Sequence, residues 1–275
     1  MFKIKFFLFF YFLIFYFLLS ENIPQRIVSL SPVITEEIFI LGKGDKIVGN
    51  TIYCTRPEEA KYKEKVGNII DVSVEKIYSL KPDIVFATNL TNQKDLKKLK
   101  SLGIKVKVFN YPLNFNQLCN DFINIGGIID EEKKAKEIVN HVKMKLEIIK
   151  NQTKNKRKVK VLIQVGTNPL WVAGTDSFVN DFILFSGGDN VIKGKGGIYS
   201  IEEIIKRNPE IIITTAMGIN TEEEKKNWSK YKMIDAVKND KIFIIDSNKL
   251  CSPTPNSFLE IVEELYKIFH GELKR

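Results

Sequence analysis

A repeated stretch constrains the fold of this chain more than any other feature of its sequence. Residues 74–88 read VEKIYSLKPDIVFAT and residues 201–215 read IEEIIKRNPEIIITT, with Glu75 and Glu202 at the same place in the two copies. In each copy a helical segment ends near a proline, and an acidic residue then leads into an apolar run of strand length. The repeat therefore predicts one βα unit that occurs in both halves of the chain.

Short apolar runs alternate with amphipathic segments throughout both halves, which is typical of α/β domains with mostly parallel sheets. The predicted strands are 26–30, 46–50, 83–88, 105–110, 158–165, NVI at 190–192, 210–216 and 241–246. The predicted helices are 35–42, 74–80, 91–102, 177–188, 200–207 and one around 222–236.

The join between the halves is also visible, because apolar residues recur at helical spacing from Asp130 to Lys150. This pattern predicts one helix about 30 Å long. The sequence thus predicts two Rossmann-like α/β lobes joined by one long helix, with a ligand cleft between the lobes. The expected boundaries are a signal peptide at 1–20, an N-terminal lobe at 21–128, a linking helix at 129–152 and a C-terminal lobe at 153–275.

The first twenty residues have the layout of an export signal, with Lys3 and Lys5 before the apolar run 6–19. This run is shorter than the roughly 20 residues that a membrane-spanning helix needs, so we expect a signal that is cleaved after Ser20. An uncleaved anchor is the alternative. The first cysteine is Cys54, so a lipoprotein anchor is not expected, and the predicted location is periplasmic or extracytoplasmic.

Composition argues against several classes of protein. The net charge of +9 comes from lysines scattered over predicted helix faces, with only five arginines, so nucleic acid is not an expected partner. Cys54, Cys119 and Cys251 are widely spaced and suggest neither a disulfide framework nor a metal site. The two histidines, His141 and His270, are too few for a receptor of bare metal ions.

Motifs for catalysis are missing from the sequence: it contains no GxSxG, GxxxxGK or GxGxxG. The GKGG at 194–197 follows no predicted strand and lacks the Ser or Thr that a phosphate loop needs, so we interpret it as a flexible loop. No enzymatic activity is predicted. The alternative is an exported two-lobed α/β enzyme, which needs catalytic acids or histidines that face the cleft.

Glu75 and Glu202 have a simple structural explanation, because Ser73 and Ser200 stand where helix N-caps belong and a first-turn carboxylate gains about 0.3–1 kcal/mol from the helix dipole. The duplication adds a second interpretation. Helix N-termini and strand carboxyl ends share the ligand-binding edge of an open α/β sheet, so the two glutamates are candidates for a docking pair.

Three motifs in order, SLSPVITEE (29–37), SVEKIYSLKPD (73–83) and SGGDNV (186–191), resemble the class III periplasmic binding proteins of ABC importers. That family carries cobalamin, ferric siderophores and haem, and the likeness is strongest to its cobalamin-binding branch. The resemblance implies a monomer without a cofactor of its own that delivers a metal chelate to a permease and its ATPase. It also implies that Glu75 and Glu202 form salt bridges with permease arginines.

The resemblance further implies which residues contact the ligand. Tyr53 matches an aromatic residue that packs on the corrin ring, and Trp171 matches an aromatic residue of the other lobe. Further ligand-binding candidates are Tyr199, Asn89 and Arg56. The sequence departs from the cobalamin binders where they have tryptophans, at Ile69, Thr88 and Gly196.

The charge of the site bears on which ligand it takes. Acidic siderophores favour clustered arginines, and only Arg56 is expected near the cleft. This favours a large, mostly neutral corrinoid. Haem bound through Tyr53, and a siderophore bound through lysines, remain alternatives.

Overall fold

The predicted strands and helices recur with small shifts in a computed structural model, which describes residues 23–215 and 221–271. The predicted signal peptide at 1–20 lies outside these residues. The strands are β1 Ile27–Ser29, β2 Ile47–Asn50, β3 Glu64–Lys65, β4 Ile84–Thr88, β5 Val106–Phe109, β6 Val159–Gly166, β7 Trp171–Val172, β8 Gly188–Asn190, β9 Gly197–Ile198, β10 Ile211–Thr215 and β11 Ile242–Ile245.

In each copy of the repeated βα unit, the helix comes directly before its strand in the sequence. They are α1 Pro32–Ile40, α2 Val74–Ser79, α3 Gln93–Ser101, α4 Phe115–Ile128, α5 Glu132–Thr153, α6 Val179–Phe185, α7 Ile201–Arg207, α8 Thr221–Trp228, α9 Asp235–Lys238, α10 Ser247–Cys251 and α11 Pro255–His270. Within the described ranges, none of these helices is long and apolar enough to cross a bilayer.

The chain divides into two compact units. The first unit contains the sequence up to Phe109 together with Ile125–Glu132. The second contains Asn110–Asn124 and resumes at Lys133. The long helix predicted over 129–152 is observed as α5, and its residues from Lys133 onward group with the second unit.

The sheet of the first unit has the order β3-β2-β1-β4-β5, and every pairing in it is parallel. Its central strands are buried on both faces because they are nearly continuous apolar runs, as parallel sheets require. Val28 and Val85 are fully buried and pack with Ile77 of α2 and Leu99 of α3. All carboxyl ends of the strands therefore meet at one edge of this sheet.

The sheet of the second unit is mixed. β11, β10 and β6 are parallel neighbours, and β8 runs parallel to the amino-terminal part of β6. The carboxyl-terminal part of β6 instead pairs with β7 in antiparallel orientation, and β9 extends β7 in the same way. The predicted two-unit α/β fold is confirmed, whereas this small antiparallel pair was not predicted.

Two predicted elements are wrong in their bounds. The strand expected at NVI, 190–192, is observed at Gly188–Asn190. The chain turns away after Asn190, because its side chain donates to the Ala173 carbonyl oxygen and accepts from the Ile192 N–H.

The single helix expected around 222–236 is two helices, α8 and α9. Trp228 ends the first of them in the core, where its Nε1 donates to Gln164 Oε1 at 2.7 Å. The chain then passes through a turn that buries Ile234, because the Tyr231 N–H bonds to the Trp228 carbonyl and the Ile234 N–H bonds to the Tyr231 carbonyl. A continuous helix does not make these contacts.

The serine caps predicted in the repeat are observed. Ser73 Oγ accepts a hydrogen bond from the Lys76 N–H at the start of α2. Ser200 and Glu203 form a reciprocal capping box at the start of α7. Both copies of the repeat thus begin their helix with the same device.

The acidic residue after each proline also has a structural role. Asp83 Oδ2 accepts from the backbone N–H groups of Gln25 (2.7 Å) and Arg26 (2.8 Å), which fixes the entry into β1. In the second unit, Glu210 accepts from the Lys160 N–H at 3.3 Å and pairs with Arg157 at 2.6 Å. Each acid therefore joins its own βα unit to the strand beside it.

Candidate functional site

Three loops at the carboxyl edge of the first sheet are hydrogen-bonded to one another. The Ile52 N–H, after β2, donates to the Gly67 carbonyl oxygen at 3.0 Å, and the Asn92 N–H, after β4, donates to the Ile70 carbonyl oxygen at 2.9 Å. Loops from β2, β3 and β4 therefore form one continuous edge.

Large apolar side chains project from these linked loops into solvent. Ile52, Tyr53, Ile70 and Leu90 are each between 53% and 58% exposed. We call these four residues the first rim. Patches of exposed apolar side chains often mark binding surfaces of proteins. The resemblance singled out Tyr53 but not the three aliphatic residues. Ile52 and Leu90 each lie two residues after a predicted strand, whereas Ile70 follows none.

A partly buried lysine anchors the loop that carries Tyr53. Lys65 Nζ donates to Asn50 Oδ1 at 2.7 Å and to the Ala60 carbonyl oxygen at 3.0 Å, and Asn50 Nδ2 donates to the same carbonyl. Burial lowers the pKa of Lys65. These hydrogen bonds join Ala60, in the loop between β2 and β3, to Asn50 of β2 and Lys65 of β3. They hold the loop that carries Tyr53 in place.

Arg56 and Asn89 were both predicted to contact a ligand. Arg56 Nη2 lies 2.9 Å from Glu36 Oε2, and both side chains are largely buried, so the guanidinium is engaged within its own unit. Asn89 follows β4, where its N–H donates to the Phe109 carbonyl oxygen, and it is exposed beside Leu90. Of the two, Asn89 is the one placed next to the first rim.

The second unit presents its own pair of exposed apolar side chains. Trp171 of β7 lies opposite Ile198 of β9, and the two residues are 47% and 62% exposed. We call this pair the second rim. Because β7 pairs with the carboxyl-terminal part of β6, the second rim lies at the carboxyl edge of its sheet, as the first rim does.

Glycines bring two backbone segments together behind the second rim. A Cβ built on Gly196 would lie 2.6 Å from the Gly174 nitrogen, and one built on Gly174 would collide with Gly194 and Gly196. The GKGG at 194–197 is therefore needed for close backbone contact, and no tryptophan fits at position 196.

Tyr199 packs on its own unit. The Arg207 guanidinium lies 5.1 Å from the centre of its ring, and its hydroxyl donates to the Lys195 carbonyl oxygen. The ring also packs against the buried core of the second unit. These contacts give Tyr199 a structural role that its sequence position did not reveal.

Glu75 and Glu202 are both exposed in the first turn of their helices. The Lys98 hydrogen bond at 2.9 Å lowers the pKa of Glu75. The pKa of Glu202 is lowered by its own backbone N–H and by Ser200. Within residues 23–215 and 221–271, no basic side chain lies within 4.0 Å of the Glu202 carboxylate.

The part of the chain that the structure describes contains no cluster of three or more His, Cys, Asp and Glu side chains that could hold a metal ion. Each rim instead offers apolar and aromatic surface.

Comparison with known proteins gives a consistent result. The family described as periplasmic binding protein matches residues 27–249. A protein of Bacillus subtilis, named as an uncharacterized ABC transporter substrate-binding lipoprotein, is 35% identical over 252 residues, which cover 88% of this chain and 79% of the relative. The vitamin B12-binding protein of Vibrio parahaemolyticus is 27% identical over 244 residues, 87% of each chain.

A solved structure agrees with these relatives. The crystal structure of a possible iron-binding (periplasmic solute-binding) protein from Staphylococcus epidermidis superimposes with a TM-score of 0.79 at 31% identity. The match covers 90% of this chain and 99% of that protein.

Proposed function

The chain belongs to the periplasmic binding protein family, whose members are substrate-binding transport proteins rather than enzymes, and from this we propose that it binds a corrinoid for an ABC importer. The family works outside the cytoplasm. The predicted class and the absence of a catalytic role are thereby confirmed.

The first rim is the observation that carries the choice of ligand. Four apolar side chains stand exposed on linked loops, and a corrinoid such as cobalamin offers a broad macrocycle that covers them. Tyr53 supplies a flat ring for such a macrocycle, and Leu90 and Ile70 supply aliphatic contacts.

Charge supports the same choice. Acidic siderophores favour arginine clusters, and the arginine nearest the first rim in sequence, Arg56, is already held by Glu36. One relative is named a vitamin B12-binding protein, and the solved structure is described as a possible iron-binding protein. We therefore propose Tyr53, Asn89 and Trp171 as direct ligand contacts, with Arg56 and Tyr199 in supporting positions.

We further propose that Glu75 and Glu202 bind cationic side chains of the permease, which acts with its ATPase. Their placement supports this role, since each is an exposed, ionised first-turn glutamate of the same βα unit. We also propose that the protein acts as a monomer. Residues 1–20 are proposed to be an export signal that is cleaved off. The Bacillus subtilis relative is named a lipoprotein, so a membrane anchor is the other outcome of an export test.

Ligand titration tests the proposal. Protein purified from cells that express the full chain is titrated with cyanocobalamin, haemin and ferric siderophores, and binding is followed by the absorbance of each ligand. Cyanocobalamin is expected to bind more tightly than about 10 μM, which corresponds to roughly −7 kcal/mol. If haemin or a siderophore binds more tightly than cyanocobalamin, that compound is the ligand instead. If none of the three binds, the proposal is contradicted.

A further inference from the structure

A second concave site lies in the second unit, at the sheet edge opposite the second rim. It is a pocket of about 580 Å³ formed where α5 ends, where β6 and β8 begin, and where α6 ends. Because β6 and β8 are parallel, their amino ends mark one edge of the sheet, whereas Trp171 of the second rim lies at the carboxyl end of β6. The pocket is therefore separate from the proposed corrinoid contacts.

The pocket is basic. Four lysines line it, against two acidic residues, Glu147 and Asp181. The lysines are Lys150, Lys154, Lys156 and Lys158. They come from the end of α5 and the polar loop KNKRK, 154–158, that follows, so one short segment supplies most of the positive charge.

The two acids offset only part of this charge. Glu147 pairs with one of the four lysines, Lys150, at 3.3 Å, and Asp181 accepts a hydrogen bond from the Phe115 N–H at 2.7 Å. Burial raises the pKa of Asp181. In the ranges described by the structure, Lys154 and Lys158 have no acidic partner within 4.0 Å.

The opposite side of the pocket is apolar. Leu184 is 49% exposed, and Phe185 lies beside it at the end of α6. Lys156 is held over the Tyr266 ring, 5.0 Å from its centre, which fixes one ammonium group in place. The volume is within the usual range for small-molecule sites, roughly 300–1,000 Å³.

We propose that this pocket binds a phosphate-bearing anion with an apolar body, with the phosphate at Lys154 and Lys158 and the apolar part on Leu184 and Phe185. Lysine ammonium groups suit phosphate as compact point charges. Such a ligand has two sources, a soluble phosphate ester or the headgroup of an anionic lipid, and the experiment distinguishes them.

The test uses protein purified from cells that express the full chain, with 1-naphthyl phosphate as probe and 1-naphthol as its uncharged control. Naphthyl phosphate is expected to bind with a Kd below about 1 mM in about 50 mM salt, and more weakly as salt rises. The variant Lys154→Gln/Lys158→Gln should weaken this binding at least about tenfold. The matched variant Lys230→Gln/Lys238→Gln, with exposed lysines of the same unit outside the pocket, should change it less than about twofold.

Vesicles separate the two sources. Binding to phosphatidylglycerol vesicles over phosphatidylcholine vesicles, lost in Lys154→Gln/Lys158→Gln, assigns the pocket to a lipid headgroup. Binding of naphthyl phosphate alone assigns it to a soluble ester. The proposal is overturned if neither probe binds, if naphthol binds as well as its phosphate, or if the two double variants lose binding equally.

Discussion

Lys98 Nζ lies 2.9 Å from Glu75 Oε1, so one glutamate of the matched pair already has a cationic partner within its own unit. Among the residues that the structure describes, Glu202, at the equivalent place of the second unit, is held by groups of its own helix start. An exposed ion pair of this kind is weak, because water screens it and both side chains lose freedom. The two glutamates therefore differ in their surroundings although they occupy the same place in the repeat.

Charge reversal of both glutamates tests the docking proposal. Glu75→Lys/Glu202→Lys is expected to abolish permease-dependent uptake, because like charges then face each other, and to leave ligand affinity unchanged. Uptake in cells and ligand titration of the purified protein are the two measurements. Reversal of two other exposed acids, Glu59→Lys/Glu263→Lys, is the control and should leave uptake near its normal level. If the first variant also loses ligand binding, the glutamates act inside the units rather than at a permease.

Removal of the two exposed aromatic rings tests the rims. Tyr53→Ala and Trp171→Ala should each weaken ligand binding about tenfold, or roughly 1.4 kcal/mol, because a flat apolar contact is lost. Their Tm values should change little, since both side chains stand in solvent. Tyr62→Ala, at a tyrosine that is 80% exposed, is the control. Equal losses in all three variants would argue against a specific role for the rims.

The loop anchor is tested with Lys65→Met. This change leaves Asn50 Oδ1 and the Ala60 carbonyl oxygen without their ammonium donor, so the free energy of unfolding should fall by about 1–2 kcal/mol. Ligand affinity should fall several-fold as the Tyr53 loop loosens. Chemical unfolding and titration measure the two effects. Lys97→Met, on the exposed face of α3, should show neither effect.

The acid in the second copy of the repeat predicts a pH dependence of stability. The Arg157 hydrogen bonds hold the pKa of Glu210 below its usual range. The pair therefore stabilises the fold above the unfolded-state pKa of about 4.3, and this stabilisation is lost as pH falls through the lower folded-state pKa. Glu210→Gln should lower Tm at pH 7 and converge on the parent protein in strong acid. Glu223→Gln, at an exposed position, is the control.

Tyr111 should make the stability of the fold decrease as the pH rises in the alkaline range. Its hydroxyl donates to the Cys251 carbonyl oxygen at 2.8 Å, and burial raises the pKa of Tyr111 to about 12. A raised folded-state pKa stabilises the fold below pH 10, and this contribution is lost as pH rises from about 10 to about 12. Tyr111→Phe should remove one late-titrating phenol from the absorbance titration near 295 nm.

Periodicity in the sequence predicted most of the βα units, because continuous apolar runs such as 84–88 leave few other structures open. It missed β7 and β9, since two residues each are too short to show a period. The resemblance suggested Arg56 and Tyr199 as ligand contacts but gave no sign of their contacts with Glu36 and Arg207. Those contacts depend on how the loops fold in three dimensions, which the spacing of residues along the chain does not predict.

The contact between Gly174 and Gly196 has a consequence for anyone who redesigns this protein as a sensor for a new ligand. Variation at Trp171 and Ile198 changes the surface that the second rim offers to a ligand, whereas a side chain at either glycine forces apart the two backbone segments that flank β7 and β9. A mutant library should therefore vary Trp171 and Ile198 and keep Gly174 and Gly196 constant.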